Sequence, residues 1–252
     1  MFLKLSRGRL WLLAHPDDEV LGLHLHSNST VNHVAYLTDG VRVGAKFNSG
    51  KRVNEAQKAW SEIDKNAELI FFGTDHALRD GALREEINLF HLNELIKICQ
   101  NRDINEIVTL QLEGGHQDHD IVSMLAEELS SRLSLNLIMF PAYRALHKMY
   151  PVYAVMSPTQ KLIEKSGLSM VLRLNFTKQA FILMKNYRSQ LSTWIGLGPF
   201  VLLKYLIGNP NFIQQSSLSK STQDSPSKLL YVNRKKGQPI DYEGFRKQIS
   251  SW

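Results

Sequence analysis

The apolar positions of this chain change period several times. Residues 9–15, "RLWLLAH", form a short continuous apolar run, the pattern of a strand buried on both faces. "HVAYLTDG" (33–40) repeats that pattern and ends in turn residues. The period then becomes helical: in "NEAQKAWSEI", Ala56, Ala59, Trp60 and Ile63 fall on one face. "AELIFFG" (67–73) predicts a third strand, residues 84–101 a helix, and "INEIVTLQ" (104–111) a fourth strand. "DHDIVSMLAEELSSRL" (118–133) is helical through Ile121, Leu125, Leu129 and Leu133, and "LNLIMF" (135–140) predicts a fifth strand. Strand and helix in alternation predict an α/β fold. The expected architecture is a Rossmann-like, mostly parallel sheet with helices on both faces and a functional site at the carboxyl ends of its strands.

From about residue 150 the pattern is less regular. "YPVYAVMS", "MVLRLNF" and "KLLYVNR" predict strands, residues 177–189 a helix, and residues 214–228 a polar loop. "TWIGLGPFVLLKYLIG" (193–208) is apolar but interrupted by Pro199, three glycines and Lys204, and is too short to span a bilayer. It reads as core or loop packing, with a peripheral, membrane-touching loop as the minor alternative. No internal repeat or clear boundary stands out, so residues 1–252 are expected to form one domain.

Composition narrows the classes. A 43% hydrophobic and 21% charged chain is ordinary for a soluble protein. The single cysteine, Cys99, excludes an internal disulfide and a cysteine-rich zinc site, and suits a reducing, cytoplasmic compartment. The net charge of +6 is spread along the chain, densest at Arg234, Lys235 and Lys236, with no basic stripe interleaved with aromatics. A nucleic-acid partner is therefore not expected, whereas an anionic substrate is compatible. No targeting or transmembrane segment is expected, and oligomeric state is not legible.

Two stretches carry chemistry. "HPDDE" (15–19) follows the first predicted strand, and "EGGHQDHD" (113–120) follows the fourth. Alone, the first could be a helix start, since proline and acids are common there. Alone, the histidines of the second could be exposed or capping. Both clusters, however, fall on the same edge of one predicted sheet. No G-x-G-x-x-G follows the first strand and no Walker motif occurs, so a nucleotide site is not indicated. Together His15, Asp17, Asp18, Glu19, His116, Asp118 and His119 offer two histidines and an aspartate as N/O ligands. They also leave an aspartate as base and a His–Asp pair as acid or oxyanion stabiliser.

At these residues the sequence resembles the PIG-L/LmbE-like family of zinc-dependent N-acetylglucosaminyl deacetylases. "AHPDDE" looks like that family's first motif and "HQDH" like its second. "TDG", "RVNE" (52–55), "YRSQ" (187–190) and "YEGF" (242–245) agree with the resemblance. It implies His15, Asp18 and His119 as zinc ligands and Asp17 as general base. His116 would stabilise the oxyanion, with Asp118 keeping it charged and oriented. The implied activity is removal of an acetyl group from an N-acetylated amino sugar, free, nucleotide-linked or lipid-linked, by attack of a zinc-bound water, with Fe²⁺ as an alternative metal. Arg52, Asp39 and Asp80 are weaker candidates for holding substrate. Glu19 is expected to cap a helix. Tyr187, Ser189 and Gln190 are expected to serve packing, and His24, His26, His33, His76, His91 and His147 no function. Gln117 stands where the family commonly has proline, and Gly114 where some relatives carry an aromatic residue, so a second polar group near the oxyanion is not supplied from there. Three rival readings are a hydrolase of another bond on the same metal, a non-catalytic sugar-binding descendant, and a structural protein whose acids only cap a helix.

Overall fold

A computed structural model describes residues 8–42, 45–146, 153–157, 164–165, 169–207, 211–215, 223–233 and 239–252. In chain order the first half runs β1 (Gly8–Leu13), α1 (Glu19–Gly22), β2 (Val31–Tyr36), α2 (Ser49–Ile63), β3 (Glu68–Ile70), α3 (Phe72–Asp75), α4 (Leu83–Glu86), α5 (Leu89–Asn101) and β4 (Ile104–Leu110). It continues with α6 (Gln117–Leu133), β5 (Asn136–Phe140), β6 (Tyr143–Ala145), β7 (Tyr153–Val155), β8 (Glu164–Lys165), α7 (Met170–Asn186), α8 (Leu191–Leu206), β9 (Asn211–Gln215), α9 (Leu230–Asn233) and α10 (Tyr242–Ser251).

The main sheet has the order β3-β2-β1-β4-β5-β9-β8. β1 pairs in parallel with both β2 and β4, and β4 in parallel with β5, whereas β9 joins β5 antiparallel. Leu10, Trp11, Leu12 and Leu13 are all fully buried, so both faces of β1 are covered, as its unbroken apolar run requires. The predicted mostly parallel α/β fold is thus the fold observed. Strand order reverses between β1 and β4. That makes the gap at their carboxyl ends the topological switch point, where open α/β sheets place ligands.

Several predicted elements differ. The third strand stops at Ile70, and Phe72 opens the helical turn α3, whose apolar side chain is buried. The helix expected over 84–101 is two helices. The first ends at Glu86, where Ile87 turns extended, and Asn88 caps α5, accepting the Phe90 N–H while its own N–H donates to Nδ1 of His91. "MVLRLNF" is not a strand but the start of α7, capped by the Ser169 side chain and buried through Ala180, Leu183 and Met184. Residues 193–206 are not a loop but most of α8, which tolerates Pro199 at an exposed position and buries Trp194, Gly198, Val201 and Tyr205. "KLLYVNR" contains the short helix α9, anchored by the Leu230 N–H on the Gly114 carbonyl at 2.7 Å. Gln214 and Gln215, expected in a loop, pair with Ile138 and Leu137 in β9. His147, Gly208, the basic run 234–236 and residues 216–222 of the polar loop lie outside the described residues.

Candidate functional site

Both motifs leave the switch point. After β1 the chain turns through His15, Pro16 and Asp17 into α1. Asp17 has φ 122°, a region that non-glycine residues occupy only when their surroundings enforce it. The enforcing contacts are specific. The Asp17 N–H donates to Oε2 of Glu19 at 3.1 Å, and the buried Arg52 guanidinium donates to the Pro16 carbonyl and, at 3.1 Å, to Oδ1 of Asp17. Oδ2 of Asp18 accepts the N–H groups of Ala14 (3.1 Å) and His15 (2.8 Å), leaving Oδ1 to face the cluster.

The second motif forms the start of α6, with His116 as N-cap. Gly114 has φ 72°, and a Cβ on Gly115 would lie 1.8 Å from the Tyr143 carbonyl oxygen, so the loop needs both glycines. Asp120 clamps it: Oδ1 accepts the N–H groups of Glu113 and Gly114, and Oδ2 accepts the Tyr242 hydroxyl at 2.7 Å.

These turns bring five side chains of the motifs together, with Asp80 from the loop after α3. His119 Nε2 lies 3.1 Å from Asp18 Oδ1, and His15 Nδ1 lies 3.7 Å from Asp18 Oδ2. On its other edge, His15 Nε2 meets Asp118 Oδ2 at 3.1 Å and Asp80 Oδ1 at 3.4 Å. His116 stacks edge-on against His15, with ring centroids 4.7 Å apart. The Asp118 carboxylate therefore serves His15, not His116 as expected. Its Oδ2 is 4.0 Å from His116 Nδ1 and also takes the Gly81 N–H at 2.7 Å. What His116 receives from Asp118 is the backbone N–H, donated to Nδ1 at 3.2 Å. In the neutral ring the proton then sits on Nε2.

The charges of the cluster follow from this packing. Burial opposes the charge on Asp18, but His119 and His15 outweigh it and hold the carboxyl well below the usual range. Burial likewise opposes a charged His15, yet Asp80, Asp118 and Asp18 raise it well above an ordinary histidine. Asp80 is held low by His15 and His116, and Asp118 by the same two rings, each against burial. Burial and then the neighbouring His15 push His116 down to about 4, contrary to the expectation that it stays charged. Burial raises Asp17 to about 6 although Arg52 opposes it.

The remaining candidates are placed as follows. Arg52 is buried against Asp17, Glu55 and Ser189, with its guanidinium over the Tyr187 ring at 5.5 Å. Asp39 does not line the cavity; its Oδ1 accepts the N–H groups of Val41 and Asp80, tying two turns together. Glu19 caps no helix. Its carboxyl, raised to about 7 by burial, receives the hydroxyls of Tyr187 and Tyr36. Tyr187 and Ser189 do more than pack, since Ser189 donates to Glu55 with both its N–H (2.9 Å) and its hydroxyl (2.5 Å). Sequence reasoning missed Tyr143, whose ring lies edge-on to His119 with centroids 5.5 Å apart, and Arg42 and Trp194, which line the same cavity. None of the three sits in a motif; Tyr143 was legible only as an aromatic just past the fifth strand.

The cavity is about 650 Å³ and is lined by His15, Asp17, Asp18, Asp80, His116 and His119, with Arg42, Phe47 and Tyr143. Ligand atoms of His15, His116 and His119 lie within 4.8 Å of one another, and so do those of His15, Asp80, His116 and Asp118. Nδ1 of His119 and the Oδ1 atoms of Asp80 and Asp118 are buried without a hydrogen-bond partner among the described residues. A concentrated set of imidazole and carboxylate donors, with no thiol, fits a divalent cation of the zinc or iron(II) type.

The family model described as PIG-L, GlcNAc-PI de-N-acetylase, matches residues 10–130. No curated protein matches the chain. Among solved structures, a deacetylase in the biosynthesis pathway of teicoplanin aligns with a TM-score of 0.58 at 15% identity, covering 82% of this chain and 98% of that one. The A40926 pseudoaglycone deacetylase Dbv21 aligns with a TM-score of 0.57 at 16% identity over 84% and 96% of the two chains. The zinc-inhibited form of teicoplanin deacetylase Orf2 gives 0.53 at 13% identity over 82% and 98%. At these identities the likeness is one of fold.

Proposed function

From the match of residues 10–130 to the PIG-L family model, we propose that the chain is a metal-dependent deacetylase acting on an N-acetylated amino sugar of the N-acetylglucosamine type. The observation that carries this reading is the convergence of "HPDD" and "HQDH" on one buried His/Asp cluster at the β1–β4 switch point. His15, Asp18 and His119 are the residues that would hold the metal; His119 Nε2 lies 3.1 Å from Asp18 Oδ1 and His15 Nδ1 3.7 Å from Asp18 Oδ2. Asp118 on Nε2 of His15 supports this, because a carboxylate on the far nitrogen of a ligating histidine fixes its tautomer and orientation. Zinc held there, or iron(II) in its place, would supply a Lewis acid for the amide carbonyl and would lower the pKa of water towards about 7.

The other residues act on protons and orientation. Asp17 is the proposed general base; burial brings its carboxyl closer to neutral, where proton transfer is more effective, and Arg52 fixes its position. His116 carries its proton on Nε2, because Nδ1 is occupied by the Asp118 N–H. It can therefore donate a hydrogen bond to the carbonyl oxygen as charge develops there, while the proton that Asp17 takes from water is the one passed on to the leaving amine. Asp80, 3.9 Å from His116 Nε2, steadies that donor and is a proposed contact for substrate hydroxyls. The reach of Tyr187 and Tyr242 back to the motif loops supports treating residues 1–252 as one functional domain. The test is acetate release over a panel of N-acetylated sugars, free, nucleotide-linked and lipid-linked, by the zinc-loaded protein. Release that disappears in Asp17→Asn supports the reading, and no release from any member overturns it.

A further inference from the structure

The α7–α8 hairpin presents an apolar face that the core does not use. Its inner residues, among them Leu183, Met184, Val201 and Tyr205, are buried. On the outer side Val171, Leu174 and Phe181 of α7, and Ile195, Leu203 and Ile207 on and just after α8, are between 49% and 70% exposed. Aliphatic and aromatic side chains of this size scattered singly need no explanation, but two adjoining helices carrying them in rows do. Along α7 the exposed row reads Val171, Leu174, Lys178, Phe181, Lys185, at helical spacing.

Charge selects what covers this face. Residues 169–207 contain Arg173, Lys178, Lys185, Arg188 and Lys204 and no Asp or Glu, so the hairpin carries +5 of the chain's net +6. A second copy docked face to face would oppose two such surfaces. Protein interface cores are depleted of lysine, whereas here the lysines lie within the apolar row. Long basic side chains interleaved with apolar ones suit a helix lying in a bilayer surface, where the stems lie along the acyl boundary and the ammonium groups reach anionic headgroups. Spanning is excluded for α8: its 16 residues extend about 24 Å against a hydrocarbon core of about 30 Å. No helix among the described residues is long and apolar enough to cross a membrane. The same hairpin borders the cavity, since Ser192, Thr193, Trp194, Gly196 and Leu197 line it.

We propose that the α7–α8 hairpin is a docking face for an anionic lipid bilayer, lying on its surface with the cavity mouth beside the headgroups. The inference goes beyond the deacetylase reading and is tested without turnover. The full chain is co-sedimented with vesicles of phosphatidylcholine alone and with about 30 mol% phosphatidylglycerol added. The expected result is binding to the anionic vesicles that weakens with added salt. Each lysine near the surface is worth about five-fold in affinity, so Lys178→Glu/Lys185→Glu is expected to weaken binding by about 25-fold or more. Phe181→Ser/Ile195→Ser is expected to lose most of the remainder with unchanged thermal stability, since both side chains are exposed. Absence of wild-type binding to anionic vesicles, or equal binding by wild type and both double variants, overturns the proposal. So does a dimer in sedimentation equilibrium that the Phe181/Ile195 pair abolishes, which would assign the face to a second copy.

Discussion

Glu113 offers a clean test of how burial governs this protein's charge. It sits between β4 and α6, 2% exposed, with Oε1 accepting the Ala142 N–H at 2.7 Å and Oε2 without a partner among the described residues. Burial pushes its carboxyl from 4.5 up to about 8. A group whose folded pKa is raised contributes stability below its unfolded pKa and loses it as pH climbs through the folded value. From pH 4.5 to pH 8 the unfolded chain ionises Glu113 while the folded chain keeps its proton, so the folded state loses ground at every step. At 1.36 kcal/mol per unit, the span of about 3.5 units amounts to a few kcal/mol, on the order of 5 at most. Glu113→Gln keeps an acceptor for Ala142 and removes the titration. Urea unfolding of both proteins at pH 5, 6.5 and 8 reads the difference directly. The variant is expected to match the wild type near pH 5 and to gain steadily on it towards pH 8. Asp120, raised to about 6 by burial, remains in both proteins and largely cancels. A stability difference that stays flat between pH 5 and pH 8 would refute the assignment of a buried, proton-holding Glu113.

The other expectations concern the site. Asp17→Asn is expected to keep bound metal and lose about 10²- to 10⁴-fold in kcat, read by acetate release beside elemental analysis. The wild type is expected to hold about one ion per chain and His119→Ala well below that, and full occupancy in the variant would remove His119 from the ligand set. Arg52→Met strands the buried Asp17 and Glu55 carboxylates and is expected to destabilise by about 3–5 kcal/mol, a Tm drop of roughly 6–20 °C in a thermal melt.

The first five strands were legible because each is a short apolar run closed by turn residues, and the switch point followed from their alternation with helices. What lay outside the pattern fails for identifiable reasons. The start of α7 was misread because its exposed side chains are as apolar as its buried ones, so the sequence lacks the polar face that marks a surface helix. Gln214 and Gln215 looked like loop, yet strand pairing uses backbone groups and tolerates polar side chains. Asp118 was given to its sequence neighbour His116, but the N-cap turn aims its carboxylate at a histidine 103 residues earlier. Asp80 entered only as a weak substrate-binding candidate, because no motif marks the turn that brings it beside His15 and His116.

The family match ends at residue 130, but the geometry of the motif turns does not. Three buried carboxyls of the matched stretch are satisfied from beyond it: Glu19 by the Tyr187 hydroxyl, Glu55 by the N–H and hydroxyl of Ser189, and Asp120 by the Tyr242 hydroxyl. Each lies one step behind the cavity. Glu19 holds the Asp17 amide, Glu55 pairs with the Arg52 that fixes Asp17, and Asp120 holds the loop that delivers His116. A buried acceptor stripped of its donor costs about 1–3 kcal/mol. Losing all three would therefore consume much of the stability available to a domain of this kind. The irregular C-terminal part is thus a set of hydroxyl donors returned to three fixed points behind the cluster. That is a requirement on three positions, Tyr187 and Ser189 in "YRSQ" and Tyr242 in "YEGF", the two stretches that carry the resemblance in this part of the chain.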